Sequence, residues 1–111
     1  MIDLHTHVLP GLDDGPPDAV GSLAMLDIAA ADGVRILVAT PHIREDYPAV
    51  IPGELADRVA EVNDLARRYD LDIEVVPGGE VSLETALLLQ DNDLRDVTLG
   101  QNGHDLLVET P

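Results

Sequence analysis

Apolar positions along the chain switch between two periods. Met1-Ile2-Asp3-Leu4-His5-Thr6-His7 alternates apolar and polar with a period near two, the mark of a strand. A loop rich in turn residues (Pro10, Gly11, Gly15, Pro16, Pro17) follows, and Asp18 is placed to cap a helix that runs to about Ala31. Val20, Leu23, Leu26 and Ala30 are expected to form its apolar stripe, with Asp32-Gly33 as the stop. Val34 to Ala39 is dominated by branched aliphatics, which suits a short strand covered on both faces. After a loop holding Pro48 and Pro52, Leu55, Val59, Val62, Ala66 and Tyr69 recur on one face of a helix from about Gly53 to Tyr69. Ile73 to Val76 reads as a third strand. Ser82 can cap a further helix through Leu89, and the polar stretch Asp91 to Asp105 leads to a fourth strand, Leu106 to Val108, that runs into Glu109.

The alternation predicts an α/β domain of about four βα units, with parallel strands joined by right-handed crossovers. With 111 residues there is room for one domain. The chain has two Tyr and neither Phe nor Trp, so Leu, Val, Ile and Ala must supply nearly all of its core. There is no Cys, which excludes disulfides, thiolate metal sites and a cysteine nucleophile. No apolar run approaches the ~20 residues of a membrane span, and Met1 leads straight into the first strand without a signal segment, so a cytoplasmic protein is expected. The net charge of −16 arises from 22 acidic residues against six Arg and no Lys, a balance that repels phosphate backbones and argues against nucleic acid as a partner.

The chemistry concentrates at the predicted strand ends. His5 and His7, His42 after Thr40-Pro41, Glu80 after Gly78-Gly79, and Glu109 each lie at or just past the C-terminal end of a strand, where parallel α/β folds build their sites. A two-residue step along a strand is roughly 6.6 Å, which places the imidazoles of His5 and His7 on one face within reach of one ion. Neutral imidazole suits zinc, iron and manganese-like ions, and carboxylates extend the set to Mn2+ and Mg2+. The plain alternatives are polar strand-end residues bonded to backbone, and exposed carboxylates in a chain full of them. Within Asp13-Asp14, either residue can be the ligand while the other orders the turn. Arg44 can meet a substrate phosphate or form an exposed ion pair, and His104, after Gly103 in a polar loop, is expected at the surface.

Together the segments Met1 to His7 with Leu9-Pro10-Gly11-Leu12-Asp13-Asp14-Gly15, Val38-Ala39-Thr40-Pro41-His42, Gly78-Gly79-Glu80 and Leu107-Val108-Glu109 resemble the polymerase and histidinol phosphatase (PHP) superfamily. Within it they are most similar to the bacterial manganese-dependent protein-tyrosine phosphatases of capsular and exopolysaccharide synthesis. The resemblance implies a distorted TIM-like barrel around up to three metal ions, Mn2+ first among them, with Zn2+, Fe or Mg2+ as alternatives. By position, it implies that His5 and His7 hold the first ion, that Glu80 bridges it to the second, and that Asp14, His42 and Glu109 serve the third. A hydroxide held by His5, His7 and Glu80 through the ions would attack phosphorus without a covalent phosphoenzyme. The implied substrate is the phosphotyrosine tail of a cognate tyrosine autokinase controlling polysaccharide export. Two further readings stand beside it: hydrolysis of small phosphomonoesters such as histidinol phosphate or nucleotides, and an inactive metal-binding half-domain.

A closed barrel of this type takes about 250 residues, and the family's later His-x-Glu-Arg-like motif and final Asp-x-His pair have no counterpart here. The expectation is therefore a single incomplete PHP domain over residues 1–111, the N-terminal half of a barrel, able to self-associate or to pair with a separate C-terminal half.

The missing Lys and abundant Asp suggest a halophilic source, in which salt screens the self-repulsion of the chain; a GC-rich genome that replaces Lys with Arg is the competing account. On the first account, unfolding curves shift to higher stability from low to molar salt. An unfolding midpoint that ignores salt leaves only the codon explanation.

Overall fold

A computed structural model describes residues 1–110, and residue 111 lies outside it. Its strands are β1 (Ile2–Thr6), β2 (Ile36–Ala39), β3 (His42–Ile43), β4 (Glu74–Pro77), β5 (Glu80–Ser82) and β6 (Leu107–Glu109). The helices are α1 (Ala19–Ala31), α2 (Leu55–Arg68), α3 (Leu83–Leu88) and α4 (Asp91–Asp96). All pairings are parallel, in two three-stranded sheets ordered β1-β2-β4 and β3-β5-β6. The parallel α/β class expected from the alternation is therefore present, but no closed barrel is seen among the described residues.

Four strand regions were expected and six strands are found because the middle two are divided. Thr40-Pro41 separates β2 from β3, where proline withholds an N–H, and Gly78-Gly79 separates β4 from β5. The register is the same on both sides of the break, with Ala39 opposite Pro77 and His42 opposite Glu80. A bond from the Glu80 N–H to the Pro41 carbonyl (2.9 Å) spans the gap. Gly79 is required there, since a Cβ would lie 2.7 Å from Ile43 Cγ1.

Asp18 caps α1 by accepting from the Gly21 N–H at 3.0 Å, and Ser82 caps α3 through the Thr85 N–H at 3.2 Å, as the pattern predicted. The buried face of α1 differs from the expected stripe. Leu26 is buried as expected, but Val20 is exposed and Ser22 is buried in its place. The Ser22 hydroxyl can enter the core because it donates to the Val8 carbonyl at 2.6 Å. Helix α2 buries Leu55, Val59, Val62 and Ala66 as expected, but Tyr69 falls at the helix end and is exposed. Within the supposed linker Asp91 to Asp105 lies α4, whose first turn carries Asp91 and Asp93 against the helix dipole and whose Leu94, with the fully buried Val97, joins the core. The buried hydrophobic residues are Val, Leu, Ile and Ala, as the composition required. None of the helices is long and apolar enough to cross a membrane.

Strand β4 would leave an edge open on the side away from β2, because β6 pairs only with β5. The side-chain amide of Asn63, on α2, fills that place. It donates to the Val75 carbonyl and accepts from the Val75 N–H, both at 2.8 Å, so one residue does the work of a neighbouring strand. Asn63→Leu leaves both groups without partners, at about 1–3 kcal/mol for each. The expected result is a urea midpoint lowered accordingly, and Asn63→Asp, which keeps the bond from the Val75 N–H but turns an oxygen onto the Val75 carbonyl, does not recover it.

Candidate metal centre

The centre forms where β1, β3, β5 and β6 bring their polar residues together. In β1 the pairing slips by one residue: Asp3 is opposite Leu37, whereas Thr6 is opposite Ala39. This bulge modifies the simple alternation expected for His5 and His7, since an extra residue re-aims the side chains around it. The Asp3 carboxylate accepts the His5 N–H at 3.1 Å, and Thr40 closes the ladder beyond it by accepting the Thr6 N–H on its hydroxyl at 3.0 Å.

Both imidazoles then reach one oxygen. Glu80 Oε1 lies 3.1 Å from His5 Nε2, 2.8 Å from His7 Nε2 and 3.6 Å from His42 Nδ1. His42 Nδ1 is buried without a hydrogen-bond partner, and Glu109 Oε1 is 3.9 Å from it. On the other side of the ring, Asp14 Oδ2 is 3.4 Å from His42 Nε2. Three groups of donor atoms have the spacing to hold an ion: His5-His7-Glu80, His7-Asp14-His42 and His42-Glu80-Glu109. They share members, so they form one cluster. A metal fits it on the structure's own terms, because His42 Nδ1 is an orphaned buried polar atom and several ring nitrogens converge on carboxylate oxygens.

Asp13 and Asp14 divide their labour. The Asp13 side chain is 1% exposed and orders the turn by accepting the Gly15 N–H on Oδ1 (3.0 Å) and the His42 N–H on Oδ2 (2.9 Å). Asp14, more than half exposed, faces the two rings. Gly15 permits the loop to fold back this far, since a Cβ there would sit 2.3 Å from the His7 carbonyl oxygen.

Arg44 is engaged by carboxylates, with Asp46 at 2.9 Å and Glu109 at 3.1 Å, and it meets a phosphate only by exchanging these partners. Asp46 and Glu109 hold its guanidinium more firmly protonated than usual. His104 is exposed in its loop, away from the cluster. Tyr47, which the sequence did not single out, lies flat on His42 with ring centroids 4.9 Å apart and planes within 10°. Only its position five residues past His42, before Pro48, could have pointed to it.

Burial pushes the His7 imidazole towards the neutral form, but the bond and charge of Asp13, followed by Glu80, outweigh it and raise the pKa above the ordinary 6.5. For Asp13 burial acts upward, and the N–H groups of His42 and Gly15 together with His7 outweigh it, so its carboxyl titrates below the usual range.

The sequence and the fold are those of a known group of proteins. The chain belongs to the CpsB/CapC family of capsular polysaccharide synthesis, whose sequence profile matches residues 1–110. Among its relatives, tyrosine-protein phosphatase YwqE of Bacillus subtilis is 32% identical over 83 residues, which cover 75% of this chain and 33% of that protein. Tyrosine-protein phosphatase CpsB of Streptococcus agalactiae is 28% identical over 109 residues, covering 98% and 44% respectively. Solved structures of YwqE from Bacillus subtilis and CpsB from Streptococcus pneumoniae, described as unique metal-dependent tyrosine phosphatases, include a match at a TM-score of 0.83 with 28% identity, covering all of this chain and 44% of theirs. The chain thus spans less than half the length of these relatives.

The raised His7 pKa carries a sign. Its ion pairs contribute stability to the metal-free chain that is fully present below the unfolded-state value near 6.5 and is lost as pH rises through the higher folded-state value. Metal ligation needs the ring neutral, so an ion held by His7, Mn2+ for example, would displace this proton and bind more tightly as pH rises over the same window. Melting curves with and without Mn2+ across pH 5.5 to 8.5 are expected to diverge as pH increases. Parallel curves would place the ion elsewhere.

Proposed function

We propose that this chain carries the metal-binding portion of a phosphomonoesterase, a protein-tyrosine phosphatase whose substrate is the phosphotyrosine tail of a tyrosine autokinase that regulates polysaccharide synthesis and export. The observation that carries this reading is the convergence of His5, His7 and His42 on Glu80 Oε1. The names borne by the relatives supply the substrate class.

In this reading His5 and His7 would offer Nε2 lone pairs, Glu80, a member of two donor groups, would hold ions beside both, and Asp14 and Glu109 would add carboxylates next to opposite nitrogens of His42. Mixed imidazole and carboxylate donors suit Mn2+, with Zn2+, Fe and Mg2+ as alternatives. When bound, such ions make water nucleophilic at neutral pH and stabilise charge on a transferring phosphoryl group. The protein's own residues set the geometry: the β1 bulge aims His5, the Gly78-Gly79 break delivers Glu80, and Tyr47 braces the His42 ring. Arg44 is poised beside Glu109 to trade a carboxylate for a phosphate. The same reading makes the two sheets the opening arc of a distorted TIM-like PHP barrel, supported by the unbroken register across the divided strands.

A second reading is favoured by the two three-stranded sheets, which do not close on each other among the described residues: a metal-binding half-domain without turnover, completed by a second copy or by a separate C-terminal half.

Hydrolysis of a phosphotyrosine peptide by this chain with Mn2+, measured beside metal content, tests both. Stoichiometric metal and EDTA-sensitive turnover are expected under the first reading, with His5→Ala lowering metal affinity at least about tenfold. Metal without turnover selects the second, and preference for small phosphate esters over the peptide moves the substrate class to small molecules.

A further inference from the structure

Asp13 takes no place in the three candidate ligand groups, yet it is the most deeply buried carboxylate at the centre. Its two oxygens contact three nitrogens: Oδ1 the Gly15 N–H (3.0 Å), and Oδ2 both the His42 N–H and His7 Nδ1, each at 2.9 Å. A carboxylate that already accepts two backbone N–H groups is held in its ionised form and has only lone pairs to offer. Glu80 Oε1 competes for the same hydrogen from the side of Nε2, but it is also met by His5 Nε2 and is open to water at 13% exposure, whereas Asp13 is 1% exposed and has no other partner for that lone pair, so the hydrogen sits on Nδ1. The other nitrogen, Nε2, is then left with a bare lone pair whenever the ring is neutral, and it points at Glu80 Oε1 from 2.8 Å. Two acceptors at that distance repel unless a positive charge is present, which is a proton in the metal-free chain and a cation in the loaded one.

We propose that Asp13 is a positioning residue for the metal centre: it fixes His7 as the Nδ1–H tautomer with Nε2 free to ligate, and through the His42 N–H it sets the spacing of the two rings on which all three ligand groups draw. Those rings lie 4.4 Å apart, centroid to centroid, and each group contains at least one of them. One carboxylate thus acts on the whole cluster, whereas Asp14 belongs to one group only. An asparagine cannot substitute, because its amide would turn an NH2 towards at least one of the three donors.

This inference rests on the metal-site reading for its purpose, but its first test needs no metal. Long-range 1H–15N NMR of the 15N-labelled, metal-free chain, above the pH at which His7 loses its proton, is expected to show Nδ1 protonated and Nε2 bare. The Nε2–H tautomer in the unaltered chain would overturn the proposal whether or not any variant folds. In Asp13→Asn the Nδ1–H tautomer is expected to give way to a mixture. Its Mn2+ affinity, read as free Mn2+ by EPR, is expected to fall about 10–100-fold for every bound ion, against loss of one class of ion in Asp14→Asn. A folded Asp13→Asn chain that keeps the Nδ1–H tautomer, or binds Mn2+ within about twofold of the unaltered chain, would also overturn it. Failure of the unaltered chain to bind Mn2+ would remove the metal-site reading, while the tautomer would still decide the role of Asp13.

Discussion

Electrostatic crowding around Glu80 Oε1 is the constraint on which the rest of the site is built. Three imidazole nitrogens approach this one atom, and Asp13, Asp14 and Glu109 stand close behind them in a chain that already carries a net charge of −16. Bringing so many acceptors together costs free energy unless cations offset it. The local departures from regular structure serve that convergence. The bulge in β1, the break at Gly78-Gly79 and the loop folded back at Gly15 each move a donor atom inward at the expense of a regular hydrogen-bond ladder. The aliphatic core beneath, anchored by fully buried residues such as Leu26, Val81 and Val97, holds these departures in place.

Much of this was legible in the sequence, and what was not has physical reasons. Alternation gave β1, and the caps Asp18 and Ser82 gave two helix starts, because side-chain capping is a local interaction. Helix α2 was readable since its burial follows a single period. Helix α1 was misjudged at Val20 because Ser22, polar and buried, takes a core position through one bond to a distant carbonyl. Helix α4 was hidden in a polar stretch where only Leu94 and Val97 reach the core, too few to mark a period. The divided strands were foreshadowed by Thr40-Pro41 and Gly78-Gly79, yet the common register across both breaks belongs to the pairing and not to either segment alone.

For the site, residue types and strand-end positions sufficed to nominate His5, His7, His42, Glu80 and Glu109, the family resemblance added Asp14, and the fold brings all six together. The division between Asp13 and Asp14 could not be read from adjacent identical residues. It is decided by which of them the backbone buries against the N–H groups of Gly15 and His42. The stacking of Tyr47 on His42 is likewise a tertiary fact. At Arg44 the ion-pair alternative is the one realised, since two carboxylates already occupy its guanidinium.

Asn63 has a consequence of a different kind. Parallel sheets with bare margins invite other chains to zip onto them, and β4 is such a margin apart from one amide. By occupying the Val75 rung, Asn63 works as a stopper: on this flank an incoming strand finds no vacant N–H or C=O at that level and meets an open edge beside β6, level with the metal-centre end of the ribbon. Growth of the sheet from that flank is thereby limited to one height, so a single polar side chain on a helix helps to keep fibril-like stacking from starting where the sheet would otherwise be most inviting.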